Sequence, residues 1–169
     1  MRTIYRIAAL MLCAYSTTSI AGQTGEPQYF IEGLSCIGEP YGLKLPATLP
    51  ELLAMSPVQS EQELQVEQWD GYTATRKTIR FKGLVVGLVT YSNDSKRYSL
   101  TSVEIRSSSW ASLSPFRVGQ SIAEVRQKLG GAGEDDSYLR SVYSGENESV
   151  HFETRAGRVS AVIYECYTG

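Results

Sequence analysis

Apolar and polar positions along this 169-residue chain fall into two helical stripes and a series of alternating runs. The clearer stripe lies within residues 116–130, where Ile122, Val125 and Leu129 recur at i, i+3 and i+7, one face of a helix. Ser121 and Glu124 have the S-x-x-E spacing of a capping box, and Gly130 and Gly131 supply the positive-φ positions that end a helix. Elsewhere the period is two. Leu64, Val66 and Trp69 punctuate a polar run that predicts a half-buried strand, and Asp70-Gly71 is a two-residue hairpin signal. Residues 72–82 predict a longer strand with Ile79 and Phe81 on one face, and residues 84–91, apolar on both faces, a central one. A turn at Asn93-Asp94-Ser95 leads into a strand over residues 98–106. After the helix, residues 137–143, 150–154 and 159–167 predict three strands, with turns at 144–147 and at Ala156-Gly157. A short strand is predicted over residues 28–32.

The helical stretch has an echo. Residues 43–52 align without gaps on residues 116–125, at a constant offset of 73. Leu43, Lys44, Leu45, Thr48, Leu49, Glu51 and Leu52 match Phe116, Arg117, Val118, Ser121, Ile122, Glu124 and Val125 class by class. Thr48 and Glu51 form a second capping box, and Pro50 occupies the first turn, where its missing N–H does little harm. The match suggests an internal duplication, against the alternative of two unrelated helix starts obeying one capping rule. The chain then divides into an N-terminal arm over residues 22–42 and two units over 43–110 and 111–169. Connections this short predict antiparallel pairing in both sheets.

Composition changes the picture at the N-terminus. Arg2 and Arg6, the apolar run 7–14 and Ser19-Ile20-Ala21 have the order of a secretory signal peptide, cleaved after Ala21. Leu12 stands before Cys13 where a lipidation signal wants a small residue. No other segment approaches the ~20 apolar residues of a membrane-spanning helix. Removing residues 1–21 takes away two arginines and no acids, so the net charge moves from −2 to −4. That balance disfavours nucleic acid and anionic membrane as partners. Cys36 and Cys166 remain, an even pair that reads as a disulfide in an exported chain. The expected location is periplasmic or secreted. Two thiols and a single histidine fall short of a four-ligand metal site, and no cofactor motif is present.

Gly119-Gln120-Ser121 with Glu124-Val125, Leu129-Gly130 and a Tyr/Phe-rich meander ending in Gly157-Arg158-Val159 resembles the unit of the small outer-membrane assembly lipoproteins of the SmpA/OmlA type. Two such units in tandem resemble the β-lactamase inhibitor protein fold. The resemblance implies an α+β architecture of two tandem helix-plus-antiparallel-sheet repeats, whose sheets form one concave surface that grips an enzyme.

Candidate chemistry is sparse. His151 and Glu153 share the strand face opposite Val150 and Phe152; the choices are a surface polar pair or a Ser–His–acid site in a small hydrolase. No G-x-S-x-G setting accompanies them. Glu134-Asp135-Asp136 is either a solvated loop, a cation site lacking EF-hand spacing, or an acidic contact with a partner's basic residues. Gly130-Gly131-Ala132-Gly133 follows a helix, the wrong end for cradling phosphate. Eleven tyrosines and two tryptophans are an ample supply for an interface as well as for a core. Trp69, Tyr72, Tyr138 and Tyr143, with Glu134, Asp135 and Asp136, are the partner-binding candidates. The expected function is a non-enzymatic protein-binding module, an inhibitor or immunity-type antagonist of an envelope hydrolase or toxin. The alternative is an accessory factor in envelope assembly.

Overall fold

The computed structural model describes residues 28–129, 140–145 and 147–167. The signal-peptide segment and the acidic trio lie outside them. The elements in chain order are β1 (Gln28–Phe30), α1 (Leu49–Ala54), β2 (Ser60–Trp69), β3 (Tyr72–Phe81), β4 (Leu84–Tyr91), β5 (Asp94–Ile105), a 3-10 turn (Ser108–Trp110), α2 (Ile122–Leu129), β6 (Arg140–Ser144), β7 (Ser149–Arg155) and β8 (Arg158–Glu165). The strands form one sheet in the order β1-β6-β7-β8-β5-β4-β3-β2.

Two expectations are corrected here. The meanders are a single continuous sheet, because β5 pairs antiparallel with β8, Val103 opposite Tyr164 and Ile105 opposite Val162. The pairing is not antiparallel throughout, since β1 lies parallel to β6. The long path from β1 to β6 permits that crossover, which adjacent strands could not make. In addition, Asp94 and Ser95 belong to β5, not to the preceding turn.

The pleat explains the core. One apolar row crosses the sheet through Ile79, Val86, Val103, Tyr164 and Val150, and a second through Phe81, Leu84, Ile105, Val162 and Phe152. Each of these side chains is at most 2% exposed. Both helices contribute to the same cluster, α1 through Leu52 and α2 through Ile122, Val125 and Leu129. One face of the sheet is therefore covered and continuous across both halves of the chain.

The helix starts follow the capping chemistry. The Glu51 carboxylate accepts from the Thr48 N–H at 3.3 Å and from its hydroxyl at 2.8 Å. Ser121 Oγ accepts from the Ala123 N–H at 3.2 Å. The loop before α2 is locked to the β7–β8 turn: Gly119 N donates to Val159 O, Val159 N to Gln120 O, Ile122 N to Gly157 O, and the Arg158 guanidinium to Gly119 O. Ala156 and Gly157 make that turn with φ of 51° and 71°. The arm is pinned by the Cys36–Cys166 disulfide, with Cα atoms 5.7 Å apart, and by Cys36 N donating to Glu148 Oε2 at 2.6 Å. Tyr164 reaches across the core to donate to Tyr41 O at 2.7 Å and meets Ser114 Oγ at 3.0 Å. Burial pushes its phenol well above the ordinary tyrosine range.

β2 departs from expectation. Its alternation predicts a half-buried strand, yet all ten residues are exposed, with Leu64 at 54% and Val66 at 56%. The reason is reach: α1 is only six residues long, it packs on β5, and the edge strand lies beyond the helical layer. Charge and a bulge blunt this edge instead. Lys77 on β3 bridges Glu61 at 2.8 Å and Glu63 at 3.2 Å, which raises its pKa, and the register slips between Glu63 and Gln65.

Candidate functional site

The opposite sheet face has no helix of the described residues on it. Its β2–β4 end carries Gln65, Glu67 and Trp69 from β2, Tyr72, Ala74 and Arg76 from β3, and Val89 and Tyr91 from β4. Together they line a groove of about 310 Å³. Register accounts for the grouping, because Trp69 pairs with Tyr72, Ala74 with Tyr91 and Arg76 with Val89. The hairpin at Asp70-Gly71 sets that register; Gly71 has φ of 84°, a left-handed position that suits glycine.

The aromatic groups form a row. Trp69 and Tyr72 are stacked, with ring centroids 6.3 Å apart and planes 4° from parallel. Tyr72 and Tyr91 follow at 5.9 Å, tilted by 58°. The Arg97 guanidinium lies 4.6 Å from the Tyr91 ring centroid, a cation–π contact, and the Tyr91 hydroxyl meets Ser99 Oγ at 2.8 Å. Trp69 is 56% exposed, so the row ends in an uncovered indole. Glu67 is engaged by the Gln65 amide at 2.8 Å.

The same face has a different character toward β5, β8 and β7. The Arg106 guanidinium binds the Glu153 carboxylate through two bonds, at 2.7 and 3.0 Å, and also binds Glu104. These bonds raise the Arg106 pKa further. His151 is buried, at 8% exposure, which corrects the reading of a surface pair with Glu153. Its Nε2 meets Ser149 Oγ at 2.8 Å and Glu165 Oε2 at 3.2 Å. Register again explains the cluster, since Ser149 faces Glu165 across β7 and β8. The arrangement differs from that of a hydrolase relay. In a relay the serine bonds Nε2 while the acid orients the ring through Nδ1. Here serine and acid share Nε2, and Nδ1 has no hydrogen-bond partner among the described residues.

Of the partner-binding candidates, the structure brings Trp69 and Tyr72 together. Tyr143 lies in β6, six strand positions from β2, about 29 Å at the usual strand spacing. Glu134, Asp135, Asp136 and Tyr138 lie outside the described residues. Arg76, Tyr91 and Arg97 escaped sequence reasoning. The parity of residues 72, 74 and 76 after the hairpin carried a signal for Arg76. Tyr91 and Arg97 meet only through the irregular β4–β5 ladder, which slips between Thr90 and Tyr91. No helix among the described residues is long and apolar enough to cross a membrane. No group of three or more metal-ligating side chains occurs among them. No family model, curated protein or solved structure matches the chain.

Proposed function

We propose that the mature chain is an exported, non-enzymatic protein-binding module, an inhibitor or immunity-type antagonist of an envelope enzyme. The observation that carries this reading is the Trp69–Tyr72–Tyr91 row on a sheet face that the helices among the described residues leave open. Exposed aromatic side chains next to arginine are the residue types on which protein interfaces concentrate their energy. The Cys36–Cys166 disulfide is compatible with an oxidising compartment. In this reading the fold is a tandem pair of helix-plus-sheet units. The aligned positions support it by equal burial: Leu43 and Phe116 are each 1% exposed, Leu52 and Val125 each 0%.

The test is capture of a partner from envelope extract, followed by assay of lysozyme-like and β-lactamase-like enzymes with the purified protein. Trp69→Ala with Tyr72→Ala is expected to weaken capture and inhibition at least tenfold while leaving the fold intact. Unchanged capture by a folded double variant would sink the assignment to this face. The second reading, an accessory factor in envelope assembly, draws on the hydrogen-bonded lock between Gly119–Ser121 and Gly157–Val159, the segments that carry the lipoprotein resemblance. Co-purification with outer-membrane assembly components, without inhibition, would favour it. Hydrolytic turnover abolished by His151→Ala in a folded protein would overturn both.

A further inference from the structure

We infer that the β2–β4 groove receives an acidic segment of the partner protein, with Arg76 and Arg97 as the carboxylate anchors. This rests on the binding face proposed above and adds the chemistry of the occupant.

The inference starts from charge. The whole chain is acidic, with 16 Lys+Arg against 18 Asp+Glu, yet this end of the open face is locally basic. Arg76 lines the groove, Arg80 follows it at the same parity on β3, and Arg97 covers Tyr91. No carboxylate pairs with any of the three among the described residues. Elsewhere, Lys44 has Glu39, Lys77 has Glu61 and Glu63, and Arg106 has Glu104 and Glu153. The one carboxylate in the groove, Glu67, is held by Gln65.

Geometry adds direction. Arg76 stands on the middle strand of the three, between Gln65 and Val89 in the register. Arg97 is already ordered over an aromatic ring, so less of its side-chain freedom is lost when it binds. A guanidinium presents paired N–H donors that match a carboxylate in a bidentate fork. The Trp69–Tyr72 stack beside them offers apolar and π surface to residues flanking the acid. A lysine-rich segment would meet the same arginines as like charges. The occupant is therefore a loop or extended segment of a protein with aspartate or glutamate among apolar residues.

The probe is a blocked octapeptide alternating glutamate and tyrosine, titrated into ¹⁵N-labelled mature protein and compared with its Gln-for-Glu and Lys-for-Glu counterparts. Expected are shift changes at Arg76, Val89, Tyr91 and the Trp69 indole with the glutamate peptide. Affinity should fall tenfold or more for the glutamine peptide, and equally for Arg76→Gln with Arg97→Gln. Equal binding of all three peptides, shifts that map to another surface, or no binding at millimolar peptide would each overturn the inference. The partner-capture assay separates the two proposals. If Trp69→Ala with Tyr72→Ala abolishes capture while the folded arginine double variant retains it fully, the acidic occupant falls and the binding face stands. If neither double variant affects capture, the binding face falls and the acidic occupant falls with it.

Discussion

The open sheet face has two ends that differ in how their polar groups are satisfied. Toward β7, β8 and β5, charge is internally matched: Arg106 is clasped by Glu153 and Glu104, and His151 sits with Ser149 and Glu165. Toward β4, β3 and β2, aromatic rings stack in the open beside arginines that pair with no carboxylate among the described residues. A matched cluster has little to gain from a partner, because binding would have to replace bonds already made. An unmatched aromatic-cationic end retains its interaction capacity. The two apolar rows stop at β3, so the unmatched end extends beyond them onto β2, whose residues are all exposed.

The contrast can be broken from below. Replacing Cys36 and Cys166 by serine frees the arm from the end of β8, and the loop they close spans 130 residues. A loss of about 4–5 kcal/mol is expected in the chain-entropy account, read as a lowered urea midpoint. Phe152→Ala removes a fully buried ring that meets Phe116 edge-on at 5.0 Å, beneath the matched end. About 3–5 kcal/mol should be lost. Trp69→Ala, at the unmatched end, should cost less than about 1 kcal/mol of stability, since its ring is already half in water. Comparable destabilisation by Phe152→Ala and Trp69→Ala would erase the distinction between covered and open faces.

An effect smaller than that of Phe152→Ala is expected at Tyr164. Its raised pKa means that the folded protein holds the phenolic proton more tightly than the unfolded chain does. Stability should therefore be complete below about pH 10 and fall as pH rises through the alkaline range, because the unfolded chain deprotonates first. Tyr98, raised by burial and then by Glu51, acts in the same direction. Tyr164→Phe should cost about 1 kcal/mol at neutral pH through loss of the Tyr41 and Ser114 bonds, and flatten the alkaline limb. An alkaline limb as steep as wild type in that variant would exclude Tyr164 as its source. Smallest of all, Arg106→Met should cost under about 1 kcal/mol, since the pair is partly solvated, and the cost should shrink in high salt.

The strands and both helix starts were legible because they depend on local rules. Ile79 and Phe81 share a face by parity; Ser121 and Thr48 stand where caps are needed; Asp70-Gly71 is a turn in any context. Cys36 and Cys166 were legible as a pair because only two cysteines follow the proposed cleavage site. The Trp69–Tyr72 pair was half legible: the hairpin implied it, but exposure depended on where the helices stop. Val66 shows the limit. Its alternation is that of a buried position, and it is exposed only because α1 is too short to cover β2.

Local periodicity, turn chemistry and cysteine number thus determined which segments become strands and helices, which residues point the same way, and which thiols join. Those properties reside in neighbours a few positions apart, or in composition. The union of the two meanders through β5 and β8, the parallel β1–β6 pair, the removal of His151 from solvent and the meeting of Arg97 with Tyr91 were decided by tertiary structure. Pairing between distant strands is governed by which edges find partners and which faces the helices cover, and no window of a single strand contains that information.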